Sequence, residues 1–193
     1  MPPSSSSGFN IEVQGVPELE ARLTALGNAM PLALVRAINR TRTAVLTRML
    51  RWLVAATGVT QARIRRSIRS ATASRARPAA SISLFSGRAP LIQFNQAQQR
   101  THLPPHAFRA RMPRSGHVGF FERTSSAKSR RIRPGVWHTL PIREVMGPPF
   151  TDFLTGVGMA DLLAYGGERL KVNLEHEIAF LESQQAAAAA RPA

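Results

Sequence analysis

The apolar positions of this chain change their period twice, and the changes divide it into a helical, an extended and a second helical zone. From Met30 to Thr57 they recur every three or four residues, at Leu34, Ile38, Thr41, Val45, Met49 and Trp52. That spacing lays one apolar stripe along a helix. Gly58 follows, and glycine readily takes the left-handed conformation that stops one. Thr60 then stands as an N-cap before a short helix carrying Ile64 and Ile68. Beyond it the runs shorten: residues 80–85, 91–94, 107–112 and 118–123 read as strands. Gly87, Pro90, Pro104, Pro105, Ser115 and Gly116 mark the turns between them. Residues 136–142 form another extended segment, broken by Gly147, Pro148 and Pro149. The helical period then returns up to about Ser183, with Met159, Leu162, Leu163, Leu170, Leu174, Ile178 and Leu181 facing inward. The predicted class is α+β: a long N-terminal helix, a small antiparallel sheet in the middle and a C-terminal helix.

The ends look different. Residues 1–8 are rich in Pro and Ser and are expected to be disordered unless a partner orders them. Residues 9–13 suit a short strand, and Pro17 sits well in the first turn of a helix reaching Leu26. Residues 184–193 read as a low-complexity, Ala-rich tail, which leaves residues 9–183 as a single domain with no internal repeat. A chain of 193 residues is long enough to bury a core. The first residues lack the charged and apolar regions of a secretory signal. No apolar run approaches the roughly 18–20 residues needed to span a bilayer. The expectation is a soluble protein, made and assembled in a cytoplasm.

Charge changes the picture most. The formal net charge is +15, carried by 24 Arg against 2 Lys. Such a balance points to a polyanionic partner, and Arg suits bidentate pairing with phosphate or carboxylate. The distribution is also lopsided. Between Ala21 and Phe121 there is no Asp or Glu but 17 Arg, whereas Glu168, Glu175, Glu177 and Glu182 load the last helix. A basic front and an acidic back suit head-to-tail contacts between copies, as in a ring. One zone folded over the other within a monomer fits equally well. On the first helix Arg36, Arg40, Arg48 and Arg51 lie off the apolar stripe, facing either solvent or phosphate. Residues 125–133 read as an exposed basic loop. The candidates for facing DNA or an acidic partner are Arg63, Arg65, Arg66, Arg69, Arg130, Arg131 and Arg133.

Candidate chemistry adds little. There is no Cys, so disulfides and thiolate metal sites are excluded. His102 and His106 have the spacing of a helical metal pair, but Pro104 and Pro105 between them break that helix. No Gly-x-Ser-x-Gly elbow is present, and Gly156 and Gly158 start a dinucleotide-like run that fails at Asp161. Glu122 and Glu144 lie among arginines and read as ion-pair partners rather than acid–base catalysts. The chain is therefore expected to be no enzyme, with neither cofactor nor metal. No recognition helix or stacking motif is present, so any nucleic-acid contact is expected to be with phosphates, salt-sensitive and blind to sequence.

Four segments together carry a resemblance. Ala37-Ile38-Asn39-Arg40-Thr41 resembles an A-L/I-N-R-T step, and Thr57-Gly58-Val59 with Ile64-Arg65 resembles T-G-(I/V)-…-(I/L)-R. Pro113-Arg114-Ser115-Gly116-His117-Val118-Gly119-Phe120-Phe121-Glu122-Arg123 resembles P-S-G-H-x-G-V-F-x-R, apart from the inserted Arg114. Leu140-Pro141-Ile142-Arg143-Glu144, ending at Gly147-Pro148, resembles L-P-I-x-E-x-x-G-P. In this order they are similar to the prophage minor tail protein Z family of lambda-like siphophages. The resemblance covers residues 37–181. It implies a virion structural protein that completes the tail at the head–tail joint, with six-fold stoichiometry and no catalytic residues. The implied partners are further copies of the chain, tail-tube or tail-terminator proteins and head-completion proteins; the implied location is the virion tail. DNA phosphates in the lumen are a further expected partner, and no membrane is. Leu140, Ile142, Glu168, Glu175 and Glu182 are the candidate assembly contacts. The competing expectation, from charge alone, is a free basic protein that binds nucleic acid without regard to sequence.

Overall fold

A computed structural model describes residues 7–8, 27–112, 115–123, 131–133, 136–137, 142–154 and 156–189. The first long helix, α1, spans Met30–Thr57, with Pro31 in its first turn. It ends at Gly58, whose φ of 74° is left-handed and whose N–H returns to the Val54 carbonyl. The buried face runs through Ala33, Ala37, Thr41, Val45, Met49 and Leu53. The expected stripe is therefore rotated at both ends. Leu34 and Ile38 are only half-buried, and Trp52 is exposed. At the N-terminal end Ala33 is the residue buried against Ile178 and Leu181, and the larger Leu34 packs beside that contact.

A short helix, α2 (Gln61–Arg65), follows Thr60, whose side chain makes no capping bond. It buries Ile64, but Ile68 has already left it and opens strand β2 (Ile68–Ala71). Pairing with β3 (Ser81–Leu84) wins over one more helical turn: Ile68 lies opposite Leu84 and Ala71 opposite Ser81. Ser7 and Gly8 form β1 on the other edge of β3, opposite Leu84 and Ser83.

Residues 91–94 are not a strand. Leu91–Gln93 form a 3-10 turn after Pro90, and both Leu91 and Phe94 are buried. Residues three apart face opposite sides of a strand but the same side of a helical turn, so the turn is what buries both. Asn95 then caps a helix with no counterpart in the sequence reading, α3 (Gln96–His102): its side chain accepts from the Gln98 N–H at 2.9 Å.

Strands β4 (Phe108–Arg111), β5 (Val118–Arg123) and β8 (Ile142–Glu144) make a second antiparallel sheet in the order β4-β5-β8. Between β5 and β8, strands β6 (Arg131–Arg133) and β7 (Val136–Trp137) pair as a two-stranded ribbon. The end of the expected basic loop is thus a strand. The last helix, α4 (Val157–Ala189), carries on past Ser183 through residues expected as a tail, since Gln and Ala favour the helix. Its buried residues include Leu162, Leu174, Ile178 and Leu181, whereas Leu163 is exposed and Met159 and Leu170 are half-buried.

The architecture is α+β, with a long helix first, antiparallel strands in the middle and a long helix last. The main core joins the C-terminal half of α1 to β3, Leu91, Phe94, Val145, Phe150, Leu154 and Leu162. A smaller cluster packs Ala33 against Ile178 and Leu181. The segments expected at residues 9–13 and 17–26 lie outside the described residues.

Candidate functional site

The chain's basic and acidic zones meet along the seam between α1 and α4. Arg48 sits across from Asp161, Thr41 from Asn173 and Ala33 from Ile178, so the two helices run antiparallel. The Arg48 guanidinium grips Asp161 with both carboxylate oxygens, Nε to Oδ2 at 3.1 Å and Nη2 to Oδ1 at 2.9 Å. It also lies 4.4 Å from the centre of the Tyr165 ring, which Arg169 approaches at 5.5 Å. Further along, Arg40 Nη1 is 2.6 Å from Glu177 Oε1, with Arg36 at 3.8 Å from the other oxygen. Glu177 is only 1% exposed, and its Oε1 has no well-aligned hydrogen bond, so the Arg40 contact there is an ion pair. Arg36, Arg40 and Arg48 thus pair with α4 carboxylates while their side chains stay about half exposed to solvent. Arg51, one turn beyond Arg48, has no carboxylate partner among the described residues.

A second basic surface lies around α2 and β2. Arg65, Arg66 and Arg69 are exposed, and Arg63 is half-buried, donating from Nη2 to the Arg88 carbonyl at 3.3 Å. Arg69 stacks 4.8 Å from the centre of the Phe85 ring. Among the described residues none of these four has a carboxylate partner, so their charge faces outward. Arg42 ties this surface to α1, donating to Ser70 Oγ at 3.1 Å, and Asn39 bonds the Ala73 backbone in both directions. Of the remaining basic candidates, Arg131 and Arg133 belong to β6, away in sequence from the α2–β2 group, and Arg130 lies outside the described residues.

The β-sheet carries a polar cluster of its own. His117 Nε2 is 2.7 Å from Glu144 Oε1, and Arg143 bonds Glu122. The partners were only half legible: Glu122 does pair with an arginine, whereas Glu144 takes a histidine. Among the described residues no group of three or more His, Asp or Glu could hold a metal. Nor is any described helix long and apolar enough to cross a membrane.

Of the assembly candidates, Ile142 is 40% exposed on the β8 edge, and Leu140 lies outside the described residues. Glu168 and Glu182 are exposed and Glu175 is half-buried. Their seven-residue spacing extends back to Asp161, which the sequence reading left out of the row. No protein-family model, curated protein or solved structure matches the chain.

Proposed function

We propose that this chain is a structural subunit of a phage tail, completing it at the head–tail joint as a ring around the DNA path. The observation that carries the reading is what the four resemblance segments do in the fold: each one holds elements together. Asn39 binds the β2–β3 connection and Thr41 binds α4 through Asn173. Gly58 ends α1 with Asn95 packed on it. His117 of the third segment pairs with Glu144 of the fourth across β5 and β8, and a side chain at Gly147 would collide with the Phe94 ring. Segments devoted to architecture favour a protein whose product is a shape.

In this reading the α2–β2 arginines face acidic neighbours, with a few touching phosphate. A formal +15 per subunit gives a six-membered ring a strongly positive lumen, which DNA neutralises in part but which would also slow DNA passage if every arginine gripped it. Division of the arginines between protein and DNA meets both demands. The test is to locate the chain in a purified particle by imaging. The expected copy number is six or a multiple of six, and any other number overturns the proposal. The alternative, a free nucleic-acid-binding protein, is favoured by one observation, the carboxylate-free α2–β2 surface, and predicts that the chain is absent from the particle.

A further inference from the structure

We infer that Gly166 and Gly167 hinge α4. Residues 168–189 are then a strap that opens from α1 as one unit while the main core stays closed. Elsewhere α4 is rich in strong helix formers, Leu, Ala, Glu and Gln. Glycine inside a helix weakens it, and sharp bends gather at glycine pairs. A glycine is required in a helix where a neighbour presses on it, as at Gly158, whose Cβ would collide with the Trp52 ring. Gly167 has no such reason. Its backbone is not left-handed, and a Cβ on it would meet nothing within 4 Å. What glycine supplies at 167 is a weak point in the helix.

The weak point falls between two halves that are held separately. Before it, Leu162 lies in the main core with Tyr165 packed against that core, and Arg48 grips Asp161. After it, Ile178 and Leu181 join Ala33 in the small cluster, which shares no residue with the main core. Polar contacts flank that cluster: Asn173 donates to Thr41 Oγ1 at 2.9 Å, and Glu177 meets Arg40 and Arg36. A small apolar cluster with polar flanks opens locally, ahead of global unfolding. Glu177, buried when the seam is closed, regains its hydration when the seam parts, which offsets part of the cost.

Opening has a defined result. Ala33, Ala37 and Thr41, buried along one face of α1, are bared, and Arg36 and Arg40 lose Glu177. Glu175 and Glu182 ride on the strap. A hinge lets them reach a neighbouring copy without disturbing the core; that use rests on the tail reading proposed above, whereas the hinge itself does not.

The chain has no cysteine, so one introduced thiol reports opening at a chosen place. Ala37→Cys lies under the strap, one turn from both Ala33 and Thr41, and Val45→Cys lies in the main core. Each full-length protein is treated with the thiol reagent DTNB in native buffer and in low urea, and its rate is divided by that of the unfolded chain. Position 37 should label at least tenfold faster than position 45 and respond less to urea, because strap opening exposes less surface than unfolding. Gly167→Ala, which meets no clash, should slow labelling at 37 about fivefold, the equivalent of the glycine–alanine difference in helix propensity. Equal rates at 37 and 45 overturn the inference, since only global unfolding would then reach the seam. So does an unchanged rate at 37 in Gly167→Ala, which would place the opening elsewhere, such as the first turn of α1. If circular dichroism shows Ala37→Cys unfolded, Thr41→Cys on the same face takes its place with the same expected results. The isolated subunit suffices, so failure here leaves the copy-number test of the tail reading untouched.

Discussion

Arg48 and Asp161 join the chain's basic and acidic zones inside one subunit, by a two-pronged bond between α1 and α4. The charge division that suits head-to-tail contact between copies is therefore partly satisfied within each copy. Both side chains remain nearly half exposed, at 44% and 49%, so water screens the pair. A double-mutant cycle on Arg48→Ala and Asp161→Ala should give a coupling of about 0.5 kcal/mol, as for other exposed pairs. Urea unfolding of the four proteins measures it, and a coupling above about 2 kcal/mol would mean the pair is far better shielded than its exposure indicates.

Arg40 and Glu177 behave differently because their burial is unequal. The Arg40 side chain is 53% exposed and that of Glu177 only 2%. Arg40→Ala leaves a buried carboxylate with Arg36 alone, 3.8 Å away, and should cost about 2–4 kcal/mol. Glu177→Gln leaves an arginine that can turn into water, and should cost about 1 kcal/mol or less. Chemical denaturation decides the order. Equal costs, or a larger one for Glu177→Gln, would refute the account.

The parts of this fold that were legible share one property: a single local signal determines them. Met30–Thr57 has a helical stripe and a terminating glycine, and the structure keeps both bounds. Val118–Arg123 alternates, with Gly119 and Phe121 buried, and is a strand of that length. The misread parts depend on distant chain. Ile68 follows a helical pattern but answers to Leu84 across β3, and Leu91 was read with strands although its spacing to Phe94 is that of a helical turn. The same limit applies to the candidate surfaces. Arg36, Arg40 and Arg48 show their helical face in the sequence, but not which carboxylates of α4 would meet it. Burial of Glu177 beside Ile178 breaks the rule that acids lie outside, and only its arginine partners account for it.

Gly58 offers a test of the α1 stop signal. Its φ is left-handed, and a Cβ there would stand 2.9 Å from the Cβ and backbone nitrogen of Asn95. Asn95 cannot move freely, since it donates to the Ala56 and Thr57 carbonyls and caps α3. Gly58→Ala should therefore destabilise the protein by about 2 kcal/mol, more than left-handed strain alone. A change below about 0.5 kcal/mol in urea unfolding would show that α3 yields without cost.

The row Glu168, Glu175 and Glu182 tests the assembly reading at its most accessible point. Residues seven apart lie on roughly one face of a helix, and Asp161 at the head of the same row is already bound to Arg48. The exposed members lie beyond that bond, on a helix whose core contacts are made by Leu174, Ile178 and Leu181 instead. A neighbouring copy presenting the α2–β2 arginines would complement this acidic row, and reversal of its sign would set like charges against each other. Glu168→Lys, Glu175→Lys and Glu182→Lys together should leave the subunit folded by circular dichroism yet block tail completion in a complementation assay. The matching Gln variants remove attraction without adding repulsion and should give a milder defect. Normal tail completion by the folded Lys variant would remove α4 from the interface, while the same severe defect in both variants would place the carboxylates themselves, rather than their sign, at the contact.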